Sequence, residues 1–124
     1  MAIVKKIDKR IKVSINDAIK YQILTHCFFN DIQISNSDLK CLAYLAKIGK
    51  EELTSFCKSI TDAGIFKSPQ SARNAITKAE KKNLLYKTED KYKKTIGIHE
   101  DLNIQTDNVV LLDFKILGYE PKES

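Results

Sequence analysis

Ala72, Ala75, Ile76 and Ala79 recur at the three- and four-residue spacing of one helical face, and three of the four carry only a methyl group. A helix with so small a buried face can approach its neighbours closely, so the segment belongs against other elements of a packed domain. Its start is marked by Ser68 and Pro69, an N-cap followed by a residue whose missing N–H is of no consequence in the first turn. Asn83 is the expected C-cap. The spacing predicts a helix over 69–82 that turns Gln70, Ser71, Arg73, Asn74, Thr77, Lys78 and Lys81 outward.

Three further stripes precede it. Ser14 with Asp17 three positions on opens a first helix, along which Ile15, Ala18, Ile19, Ile23, His26 and Cys27 share a face. Ser35 with Asp38 repeats that opening for a second helix carrying Leu39, Leu42, Ala43 and Ala46, which ends at Gly49. A third is expected from near Lys50, where Glu51 and Glu52 would favour its positive end, with Leu53, Phe56, Cys57 and Ile60 on one face until Gly64. Beyond Asn83 the period changes, and LLYK, a polar turn TED and KYKKTIGI read as a short hairpin over 84–98. The later run VVLLDFKIL alternates Val110, Leu112, Phe114 and Ile116 against Leu111, Asp113, Lys115 and Leu117, which favours a strand.

A chain of 124 residues accommodates one such domain. The first twelve residues set Ile3, Val4, Ile7 and Ile11 among five basic side chains and suit an arm, a strand or a short helix. The expected division is therefore a basic arm over 1–12, a folded domain over 13–119 and a tail over 120–124.

Helix, glycine-containing turn, helix and basic hairpin is the order of a winged helix-turn-helix. The expected fold class is mainly α with a small β-sheet: four helices, a wing hairpin and a C-terminal strand. In that arrangement the helix over 69–82 would meet the DNA major groove, with Lys87, Lys91, Lys93 and Lys94 serving the wing.

The charge distribution points the same way. Between Lys67 and Lys94 there are nine basic and three acidic side chains, and residues 1–12 carry a further net +4, although the whole chain sums to only +5. A basic run is commonly just a solvated face. Here it coincides with the two elements a winged helix would use to neutralise phosphates, which favours double-stranded DNA as a partner.

Other chemistries find little purchase. There is no glycine-rich phosphate loop, no nucleophile elbow and no metal-spaced cluster, so neither cofactor nor metal is expected and the chain reads as a non-enzyme. Cys27, Cys41 and Cys57 lie among apolar residues without a CxxC pair, as buried free thiols do. His26 falls on an apolar face, where a packed histidine is the usual case. His99, Glu100 and Asp101 could be drawn as an acid/base group but fit a polar turn after the second wing strand better. The apolar runs are too short to span a membrane and the N-terminus lacks a signal-peptide core, so the expected compartment is the cytoplasm.

The segment SPQSARNAITKAEKKNLLYK resembles the recognition helix and first wing strand of MarR-type and related winged helices. Their wing tips usually carry aspartate and arginines, whereas TEDKYKK has lysines and no arginine. The whole chain, including ISNSDLKCLAYLA and NIQTDNVVLLDFKIL, also resembles small proteins of crAss-like and other phages of Bacteroidetes. These resemblances imply either a DNA-binding regulator, expected as a two-fold dimer, or a virion subunit such as a head-tail connector or ring component, using its winged helix between protein copies.

Overall fold

The computed structural model describes residues 14–106 together with two short paired segments, Lys5–Lys6 and Lys115–Ile116. Expectations for the rest of the arm 1–12, for the remainder of the alternating run near 110 and for the tail 120–124 lie outside the described residues. In chain order the elements are β1 (Lys5–Lys6), α1 (Ile15–Phe29), α2 (Asn36–Ile48), β2 (Lys50–Glu52), α3 (Leu53–Asp62), α4 (Pro69–Lys81), β3 (Leu85–Asp90), β4 (Lys93–Ile98) and β5 (Lys115–Ile116), with a 3-10 turn at Glu100–Leu102.

The helix starts follow from hydroxyl caps. Ser14, Ser35 and Ser68 each accept a bond at 3.1 Å from the backbone N–H three residues on, at Asp17, Asp38 and Ser71. Three ends share another device. After α1, α3 and α4 the chain turns left-handed at Asp31 (φ 55°), Gly64 (φ 80°) and Asn83 (φ 58°). The next residue, Ile32, Ile65 or Leu84, then donates back to the third-last helical carbonyl at 2.9–3.0 Å. That bond folds each apolar side chain onto the core, with Leu84 fully buried. Asn83 thus sits one position beyond the cap, which is Lys82.

The core is close to the one its spacing predicts. Ile19, Ile23 and Cys27 of α1, Leu39, Leu42, Ala43 and Ala46 of α2, Leu53, Phe56, Cys57 and Ile60 of α3, and Ala72, Ala75, Ile76 and Ala79 of α4 are all buried. Phe56 is completely enclosed, its ring 5.9 Å from that of Tyr44. Three residues of the first stripe differ: Ile15 is exposed because it opens the helix before the packed face begins, Ala18 is half-buried, and so is His26, its Nδ1 lying 3.5 Å from Asn30 Nδ2.

Two boundaries also differ. Lys50–Glu52, expected as the first turn of the third helix, is instead strand β2, paired antiparallel with β4 through Lys50↔Gly97, Glu51↔Ile96 and Glu52↔Thr95. Pairing with the open edge of β4 gives backbone groups of this segment partners that the first turn of a helix would lack. The hairpin reverses at Lys91–Tyr92 and not at Thr88–Asp90, since β3 and β4 pair continuously from Leu85↔Ile98 to Asp90↔Lys93.

The resulting sheet has the order β2-β4-β3. Leu85, Ile96 and Ile98 face the helices, while Tyr86 lies on the other side across Gly97. A Cβ at Gly97 would come within 2.6 Å of the Tyr86 hydroxyl, so the ring occupies space that only glycine leaves free. Lys50 Nζ stands 6.0 Å from the centre of that ring. Helix pair α3–α4, the hairpin after it and the strand before it, closing a three-stranded antiparallel sheet under mainly helical cover, make a winged-helix-like layout. Outside it, β1 pairs antiparallel with β5, Lys5 opposite Ile116 and Lys6 opposite Lys115.

All three cysteines are free and buried. Burial pushes the Cys41 thiol up from 9.0 to about 12, with smaller contributions from Asp38 and Cys57. Below pH 9 both folded and unfolded chains keep this proton; above it the unfolded chain ionises first, so stability falls as pH rises toward 12. Denaturant titrations across that window should show Cys41 contributing up to about 1.4 kcal/mol of lost stability per pH unit. Cys41→Ala should lose that component; an unchanged pH profile counts against it.

Candidate nucleic-acid interface

The outward face of α4 is built by the same stripe that buries its inner one. With Ala72, Ala75, Ile76 and Ala79 turned inward, Gln70, Ser71, Asn74, Lys78 and Lys81 are exposed or nearly so, while Arg73 and Thr77 are half-buried at the margins. Gln70 Nε2 donates to Asn74 Oδ1 at 3.0 Å, which links two amides able to read base edges. Thr77 Oγ1 donates to the Arg73 carbonyl at 3.1 Å and so lies along the helix. Arg73 leans toward the start of α3, its Nη2 donating to Thr54 Oγ1 at 3.5 Å.

An open groove runs beside this face. Ser71, Asn74, Thr77, Lys78 and Lys81 form one wall, and Ser35, Ser37 and Asp38 at the beginning of α2 form the other. Lys78 Nζ lies 3.9 Å from Asp38 Oδ2, with the lysine side chain 62% exposed, so this ion pair is loose and solvent-screened. Among the described residues Asp38 is the one carboxylate lining the groove, and it was not legible as such because its sequence role is to follow the Ser35 cap.

The basic run divides by structure into engaged and solvent-facing cations. Lys87 Nζ lies 3.3 Å from Glu80 Oε1 on α4, and its side chain is only 23% exposed. It faces α4 and ties the wing to that helix. Lys82 donates to the Gln33 carbonyl at 2.7 Å and is likewise engaged. Lys78, Lys81, Lys91, Lys93 and Lys94 are exposed. On the hairpin, strand alternation sends Lys94 to the helix-facing side, opposite Glu89, and Lys93 to the other. The wing therefore offers cations on both faces and at its tip.

At that tip stand two residues whose geometry sequence reasoning missed. Lys91 and Tyr92 form a two-residue turn with φ of 47° and 73°, and the Tyr92 side chain is fully exposed. Asn-Gly would have signalled this turn; Lys-Tyr does not. Elsewhere His99 caps the 3-10 turn, its Nδ1 accepting from Asp101 N at 3.1 Å, which occupies the histidine in a polar turn. Among the described residues no group of three or more His, Cys, Asp and Glu side chains could hold a metal ion, and no helix is long and apolar enough to cross a membrane.

No protein-family model matches the chain, and neither a curated protein nor a solved structure is significantly similar to it.

Proposed function

We propose that this protein is a non-enzymatic winged-helix DNA-binding protein, with α4 entering the major groove and the β3–β4 hairpin following the phosphate backbone. One observation carries the reading: the exposed cations Lys78, Lys81, Lys91, Lys93 and Lys94 fall on the two elements that such a layout directs at a duplex. Gln70, Asn74 and Arg73 would then contribute base recognition, and Ser71 and Thr77 would supply hydroxyl contacts. Lys87 acts through its pairing with Glu80, as a strut between helix and wing.

The test is salt-dependent binding to duplex DNA. Replacing Lys93 and Lys94 together with alanine should weaken binding about equally for all sequences. It should also flatten the plot of log affinity against log salt by about one unit for each phosphate that is no longer neutralised. Asn74→Ala should instead relax preference at one base position. Binding that is indifferent to salt sinks the electrostatic account.

A second reading is favoured by a different surface. On α1, Tyr21, Leu24, Phe28 and Phe29 are exposed, the two phenylalanines at 81% and 77%, and their rings meet edge to face at 5.7 Å. Contiguous apolar surface of this kind suits contact between protein copies. Under this reading the protein is a subunit of a phage particle or other assembly. Native mass spectrometry separates the two: a two-fold dimer that binds DNA fits the regulator, and a ring without DNA affinity fits the subunit.

A further inference from the structure

The turn at Lys91–Tyr92 is costly where it need not be. Type I′ geometry requires positive φ at both central residues, which glycine and asparagine adopt readily and a bulky side chain resists. Among the described residues no packing offsets that cost. Tyr44 packs beside Phe56 and Tyr86 lies over Gly97, but the Tyr92 ring is fully exposed. Backbone strain held at an exposed tip, without burial of the strained side chain, is the pattern of a group positioned for a ligand.

The surroundings indicate which ligand. Lys91, Lys93 and Lys94 adjoin Tyr92 along the chain and are exposed, and in the strand register Glu89 and Asp90 stand directly across from Lys94 and Lys93. An aromatic face among lysines suits a nucleobase beside its phosphates. Within an intact duplex each base is covered on both faces by its neighbours, so a protruding ring finds no free face to stack upon. A base displaced from the helix provides one, and stacking on it is worth about 1–3 kcal/mol.

We propose that Tyr92 is a base-stacking residue that gives the wing a preference for duplex DNA containing an unstacked, extrahelical base. This inference rests on the DNA-binding reading above. Lys91 and Lys93 hold the flanking phosphates, and Tyr92 covers the displaced base.

Fluorescence anisotropy with a labelled duplex, and with the same duplex carrying one extrahelical adenine, tests it. The wild-type protein should bind the bulged duplex about 5- to 150-fold more tightly. Tyr92→Ala should abolish that difference while leaving affinity for the intact duplex and its salt dependence in place, and Tyr92→Phe should retain it. The double change Lys91→Asn, Tyr92→Gly should raise the melting temperature by relaxing the turn, yet lose the preference, which separates recognition from folding. Equal affinity of the wild-type protein for both duplexes, or a preference surviving in Tyr92→Ala, overturns the stacking role alone. Absence of salt-sensitive binding to either duplex overturns the DNA-binding reading and this inference together.

Discussion

Reversing both lysines at the groove, Lys78→Glu with Lys81→Glu, is expected to weaken duplex binding by roughly a thousandfold. Coulomb's law sets the scale: a charge about 4 Å from a phosphate in water gains about 1 kcal/mol, so reversing one changes the balance by about 2 and reversing two by about 4. Both side chains are exposed and outside the core, so the fold should survive. The expected circular-dichroism spectrum is that of the parent, with a melting curve only slightly lowered. The change at Lys78 replaces its loose pairing with Asp38 by a contact between like charges, and acids in the last turn of α4 oppose the helix dipole, each costing no more than about 1 kcal/mol at such exposure. A folded double variant with parental affinity would remove α4 from the interface and transfer weight to the aromatic surface of α1.

The largest effect on stability is expected at Phe56. Its ring is completely enclosed in the core, with Tyr44 of α2 as its aromatic neighbour. Phe56→Ala should cost about 3–5 kcal/mol, combining lost transfer energy with the cavity left behind. Against a domain stability of about 5–15 kcal/mol, that removes about a fifth or more of the total and leaves a domain at the lower end of the range marginal or unfolded. Urea titration of the two proteins measures it directly. A loss below about 1 kcal/mol would mean that the core around α3 is not packed as described.

How far the sequence carried the fold depends on the kind of signal each element bears. The face of α4 was legible because four apolar residues at helical spacing and a Ser-Pro start all agree. Strand β2 was not, because Lys-Glu-Glu has neither apolar alternation nor β-branched residues; its conformation is decided by the waiting edge of β4, more than forty positions later. The hairpin's existence was legible from LLYK and TIGI, but its reversal point was not, because Thr-Glu-Asp looks more like a turn than Lys-Tyr does. The same division holds at the interface. Outward residues of α4 follow from its buried stripe, whereas the diversion of Lys87 to Glu80 joins two elements whose relative placement no local pattern records.

The β1–β5 pairing has a mechanical meaning. Lys5 faces Ile116 and Lys6 faces Lys115, so the chain enters the ribbon and leaves it at the same end. Tension applied through residues before Lys5 and after Ile116 would act across the ribbon and peel its pairs apart one after another, like a zipper, in place of shearing them all at once. So short a ribbon is weak on its own in water. Its two pairs, Lys5 with Ile116 and Lys6 with Lys115, would therefore open in turn at low force. Among the described residues, the next brace inward is the pair of bonds between Gln22 and Gln105, at 2.7 and 2.9 Å.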